Sequence, residues 1–107
     1  MKLEMWLFGE FGYAPLIERY QRLNDDVAID VRVADHSPSY HRMLVDAIDE
    51  GSPPDIAAIE VAHLPAHLAR PQDFHNLLQL GAKDLQSSYL EWKWRQALTR
   101  DGSSLIG

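Results

Sequence analysis

Along this chain the spacing of apolar residues switches between a period of two and one near 3.6, and each switch marks an expected element. Leu3 to Phe8 (LEMWLF) is a short apolar run with aromatic content, bounded by Gly9 and Gly12, and predicts a first strand. From Ala14 to Leu23 the residues Leu16, Ile17, Tyr20 and Leu23 share one helical face, Pro15 suits the first turn, and Asn24-Asp25-Asp26 stops the pattern. Val27, Ala28, Ile29, Val31 and Val33, with Asp30 and Arg32 on the alternate face, predict a second strand. Ser37-Pro38 reads as a cap followed by a first-turn proline. Behind it Tyr40, Met43, Leu44, Ala47 and Ile48 keep the spacing of a half-buried helix, and Gly51 is placed to close that helix in the left-handed conformation. After the rigid connector Ser52-Pro53-Pro54, the segment Asp55 to Glu60 (DIAAIE) predicts a third strand, and its small Ala57 and Ala58 favour close packing of a helix on the sheet.

Strand, helix, strand, helix, strand, joined by short connections, specifies an α/β fold with a mainly parallel sheet, because right-handed crossovers lay the helices on its two faces as a three-layer α/β/α arrangement. The remainder is less regular. His63 to Ala69 suggests a turn or two of helix begun at Pro65 and ended by Pro71, and Phe74 to Leu80 (FHNLLQL) is an apolar patch. Asp84 to Leu98 holds helix formers with Leu85, Tyr89 and Trp92 on one side. Arg100-Asp101-Gly102 is a tight-turn signal, after which Ser104-Leu105-Ile106 starts the second strand of a hairpin. A strand that begins this close to the end of the sequence suggests that the natural polypeptide runs on.

A length of 107 residues fits one domain, 1–107, with a modest core. The net charge is −6, from 10 Lys+Arg against 16 Asp+Glu, and the basic residues are scattered singly, which disfavours nucleic acid as a partner. The absence of cysteine excludes disulfides, thiolate metal sites and a cysteine nucleophile. No apolar run approaches the roughly 18 residues that span a bilayer, and Met1 leads directly into a strand pattern with no signal peptide before it.

Candidate chemistry follows from the topology. In open α/β sheets ligands sit outside the carboxyl ends of the strands. That rule selects Gly9, Glu10 and Phe11 after the first strand, Asp35 and His36 after the second, and Glu60, Val61 and His63 after the third. Enzyme motifs are absent: Gly9-Glu10-Phe11-Gly12 has neither a phosphate-loop ending nor dinucleotide glycine spacing, and there is no nucleophile elbow. Glu60, His63 and His67 have the spacing of a metal-binding helical face, but Pro65 begins its helix too late to include the first two, so no metal site and no cofactor is expected. Asp46, Asp49 and Glu50 read as a solvated helix end.

The ordered set of segments resembles the N-terminal opening of the extracellular solute-binding proteins of ABC transporters, carbohydrate-binding branch. The resemblance is carried by WLFGEFG (Trp6 to Gly12), VAIDVRV (Val27 to Val33), SYHRMLVDAIDEGSPPDIAAIE (Ser39 to Glu60) and LEWKWRQALTRDGSSLIG (Leu90 to Gly107). Members of that family are two-lobed and several times longer, so the resemblance implies the start of the first lobe of a periplasmic-binding-protein-like (class II) fold, without its hinge strands and second lobe. It implies a non-catalytic protein that binds a saccharide between two lobes, works outside the cytoplasm, and docks on ABC permease subunits. It points to the same strand-end loops, with Gly9, Glu10, Phe11, His36, Glu60 and His63 as ligand contacts. It adds Trp92 and Trp94, one of them core and the other, assigned as Trp94, stacking on sugar. Half of such a cleft is expected to bind sugar weakly or not at all, and an open sheet edge to favour a homodimer. Two rival readings are a flavodoxin-like receiver domain, which would need acids clustered after the first strand, and an α/β fragment with a structural role only. The sequence has only Glu10 at the receiver position.

Overall fold

The computed structural model describes residues 1–107 and divides into two compact units, Met1–Glu60 and Val61–Gly107. In the first unit β1 (Lys2–Leu7) is the middle strand of a three-stranded parallel sheet, flanked by β2 (Ala28–Val33) and β3 (Ile56–Ala57). The register sets Met5 between Val31 and Ile56, and Trp6 between Arg32 and Ala57. Alternation along β1 therefore gives each face of the sheet its own helix.

On the Trp6 face lies α2 (Ser37–Asp49), whose Tyr40, Leu44 and Ala47 are buried against Trp6 in a core joined by Phe8, Ala34, Ile48, Ala57 and Ile59. The expected stripe of α2 forms, with Met43 exposed at its edge. Its N-cap is His36, not the expected Ser37: the His36 ring accepts from the Ser39 amide, and Pro38 follows inside the first turn. Ser37 is thereby released to point its hydroxyl at Glu60. Gly51, at φ 78°, closes the helix, with its amide on the Ile48 carbonyl (3.1 Å) and the Ser52 amide on Ala47 (2.9 Å), which takes up two of the terminal carbonyls.

On the Met5 face lies α1 (Ala14–Leu23), where Leu16, Ile17 and Tyr20 border a narrow apolar groove of about 300 Å³ closed on its other side by Leu3, Met5 and Ile29. No residue of α1 is buried, and Leu16 and Leu23 are 62% and 72% exposed. The helix is tied to the sheet by Gln21, whose Oε1 accepts from the Ile29 amide on the outer edge of β2 (2.7 Å).

The third strand is shorter than the pattern Asp55 to Glu60 predicts. Asp55 takes the Glu4 amide with its side-chain Oδ2 (2.8 Å), so a carboxylate stands in for a ladder carbonyl at the strand entrance. At the exit the Ala58 carbonyl is engaged by the Tyr40 hydroxyl (2.7 Å). The ladder is left with Ile56–Ala57.

The second unit holds two short helices, α3 (Leu64–Leu68) and α4 (Glu91–Gln96), among 3₁₀ turns at 61–63, 71–73, 77–80 and 82–88. The continuous helix expected over 84–98 is instead broken at Tyr89 and Leu90, both extended. Its expected stripe stays in water: Leu85, Tyr89 and Trp92 are all more than half exposed. Without burial a helix of that length has little to hold it. Burial goes instead to Trp94, Ala97 and Leu105, packed with Leu77, Leu78, Ala82 and Leu98. The expected hairpin forms, with Leu98 bridging Leu105 antiparallel and the Thr99 amide on the Ser104 carbonyl (2.8 Å). Asn76 secures it, accepting from the Leu105 and Leu78 amides at 3.1 Å each and donating to the Ser103 carbonyl at 2.9 Å. No helix of the chain is long and apolar enough to cross a membrane.

Candidate ligand-binding site

The carboxyl ends of the three strands in the first unit supply the candidate site. Past the last β1–β2 ladder bond, from the Ala34 amide to the Leu7 carbonyl (2.8 Å), the first strand runs into Phe8. The Phe8 ring lies 5.6 Å from Tyr40 and 5.1 Å from His41, while on its other side Phe11 meets it edge-on at 4.9 Å. Tyr13 continues the series at 5.9 Å from Phe11. Rings thus run from the buried Tyr40 out to Phe11 and Tyr13, which are 44% and 41% exposed. Gly9 lies under this series: a side chain there would meet the Phe11 ring at 3.4 Å. Glu10 projects from the same loop and is exposed.

Glu60, half-buried at the end of the third strand segment, is held at two points by the first turn of α2. Its Oε2 accepts from the Ser37 hydroxyl at 2.6 Å, and its amide donates to His41 Nε2 at 3.0 Å. Because Phe8 touches both Phe11 and His41, the first and third strand-end loops belong to one connected set of side chains. Exposed aromatic faces beside a carboxylate can cover the C–H surface of a ligand while accepting hydrogen bonds from its hydroxyls.

The remaining candidates are placed differently. His36 is exposed and caps α2, with Nδ1 2.7 Å from Ser39 Oγ, and Asp35 is exposed beside it. His63 and Trp94 belong to the second unit. His63 ends the 3₁₀ turn Val61–His63 and is half-buried. Trp94, assigned to sugar stacking, is 9% exposed and forms the core of that unit with Ala97 and Leu105. Of the two tryptophans Trp92 is the exposed one, with Lys93 Nζ 5.4 Å from its ring. They sit on α4, where positions two apart face different directions, and only one can turn inward.

Three residues that sequence reasoning did not place in the site hold it together: Phe8, Ser37 and His41. Their one trace in the sequence is that Ser37 and His41 are a helical turn apart. Tyr40 is locked beside them, donating to the Ala58 carbonyl at 2.7 Å with the Trp6 carbonyl 3.1 Å away; burial pushes its phenol up to about 12, opposed by the bond to Ala58. A groove of about 700 Å³ lies elsewhere, on the α2 face of the sheet. Glu4, Arg32, Arg42, Asp46 and Glu50 border it, and of the candidates it includes only His36. We place the candidate site at the strand ends, where the topology rule puts Glu10, Phe11 and Glu60.

No family model matches the sequence, and no curated protein matches it. Among solved structures, the crystal structure of an extracellular solute-binding protein family 1 is similar over 100% of this chain, with a TM-score of 0.94 and 34% sequence identity. The chain spans 27% of that protein's chain. The parallel sheet and its helices therefore match part of a lobe of such a protein.

Proposed function

We propose that the chain belongs to extracellular solute-binding protein family 1 and supplies one wall of a ligand site that serves ABC-transporter uptake without catalysis. The reading is supported by one observation above the rest: the whole chain follows a protein of that family at a TM-score of 0.94 with 34% identity. The ligand is a saccharide, which suits the exposed rings of Phe11 and Tyr13 in the first strand-end loop together with the carboxylates of Glu10 and Glu60. In the complete protein the site is shared with a second lobe, works outside the cytoplasm, and delivers its ligand to permease subunits.

A wall that covers one side of a ligand leaves the ligand's polar groups in competition with water, so binding by this chain alone is weak, in the millimolar range. The test is an amide ¹H–¹⁵N titration with a panel of mono- and oligosaccharides. Fast-exchange shifts confined to the loop of Gly9, Glu10 and Phe11 and to Glu60 are expected. No response to any sugar overturns the saccharide reading, as does a response centred elsewhere. Acetyl phosphate with magnesium is the counter-test: a spectral change at the strand ends would favour a receiver domain instead.

A further inference from the structure

His41 is one of two buried polar residues in the chain, 3% exposed, and its partners fix its chemistry. Nε2 receives the Glu60 amide at 3.0 Å; an amide N–H can only donate, so Nε2 carries a lone pair. Nδ1 lies 2.8 Å from the Ser37 carbonyl oxygen, which can only accept, so Nδ1 carries the proton. The ring is therefore neutral and in its Nδ1–H form. The Ser37 hydroxyl, 3.3 Å from Nδ1, gives its own hydrogen to Glu60 Oε2. Phe8 at 5.1 Å and Tyr40 at 4.9 Å wall the imidazole.

We propose that His41, acting with Ser37, is the positioning residue of the ligand wall: it holds the backbone of Glu60 while Ser37 orients the carboxylate, so that Glu60 meets its ligand already arranged. The inference rests on the saccharide-binding reading. Its physical basis is preorganisation. A strand-end carboxylate on a free backbone would have to be ordered at the moment of binding, at a cost in affinity. Here that ordering is built into the first turn of α2. A carboxylate has roughly four acceptor positions, so Glu60 can take ligand hydroxyls besides the hydrogen it receives from Ser37.

The test begins with the unaltered chain. A long-range ¹H–¹⁵N spectrum of the imidazoles is expected to show His41 with a protonated Nδ1 and an unprotonated Nε2. An Nε2–H ring overturns the proposal whatever sugars do. Next, amide exchange at Glu60 is expected to quicken about tenfold in His41→Leu, the size of one lost hydrogen bond. It is expected to stay near the original rate in His41→Gln, whose side-chain oxygen can replace Nε2. The same pair is then titrated with the sugar that shifts Glu60 most: Leu weakens binding about tenfold by loss of the same bond, and Gln restores it. Equal exchange in all three proteins, or a sugar affinity that ignores the Leu substitution, overturns the proposal. A correct tautomer and exchange pattern with no sugar response leaves the clamp standing and removes the saccharide reading instead.

Discussion

Tyr40 donates its hydroxyl hydrogen to the carbonyl of Ala58 at 2.7 Å and lies 3.1 Å from the carbonyl of Trp6, so one phenol on α2 ties β1 to the end of β3. Tyr40→Phe keeps the ring and removes the tie, leaving the Ala58 carbonyl short of this partner, while the Trp6 carbonyl keeps the Ala58 amide (2.9 Å). A loss of about 1–3 kcal/mol is expected, measured as a lower urea midpoint. Burial of the same phenol sets an alkaline limit. The folded phenol titrates near 12 against an ordinary 10, so its stabilising effect is whole below pH 10 and declines as pH rises from there to about 12. Urea midpoints of the two proteins should converge over that interval; a constant difference would show the phenol to be unperturbed.

Leu44 and Tyr40 are the largest fully buried side chains, both 1% exposed, and Leu44 packs in the core that holds α2 on Trp6. Leu44→Ala leaves a cavity and should cost about 3 kcal/mol. In a first unit with so few buried residues, that is expected to appear as a large loss of cooperative unfolding by circular dichroism.

Asn76 makes three bonds to the hairpin and its neighbouring turn. Asn76→Ala strands those backbone groups, and a loss of about 2 kcal/mol is expected from the second unit, read as faster amide exchange at Leu105.

Within the same hairpin Asp101 Oδ1 accepts from the Ser103 amide, the Ser103 hydroxyl and the Thr99 hydroxyl. The Ser103 amide chiefly, then the two hydroxyls, lower its carboxyl to about 2 from 3.8. A lowered folded value means stability that is present above pH 3.8 and lost as pH falls toward 2. The Leu98–Leu105 cross-strand contacts seen by nuclear Overhauser effect should fade over that interval, and in Asp101→Asn the acid dependence should disappear.

Self-association is expected from the apolar face of α1 and the open edge of β3, since Leu16, Tyr20, Leu23 and Ile56 are exposed there. Sedimentation velocity over a concentration series should show a dimer, and Leu16→Glu with Leu23→Glu should abolish it. A monomer at every concentration would remove this expectation.

The alternating order of the first unit was legible because its strands and helices each carry a pattern of their own period, and α1 occupies Ala14–Leu23 as the apolar spacing predicts. What escaped was decided by contacts between distant segments. Ser37 looks like a cap until Glu60, far along the chain, claims its hydroxyl, and His41 looks like a surface residue of α2 until the third strand ends against it. The stripe of Leu85, Tyr89 and Trp92 has helical spacing, yet spacing says nothing about whether a surface exists to bury it, and Trp94 took the available core. At the candidate site the topology rule named the loop of Gly9, Glu10 and Phe11 and the position of Glu60. The aromatic bridge through Phe8 depends on ring geometry that spacing alone does not encode.

Gln21 distinguishes the two flanks of the sheet by occupying one edge position of β2. A polypeptide pairing with β2 at Ile29 must first displace the Gln21 oxygen from that amide, whereas β3, the opposite edge strand, is short. A glutamine on a surface helix thereby discourages strand addition at one point of the β2 margin, the kind of local guard that keeps an edge from recruiting a neighbour.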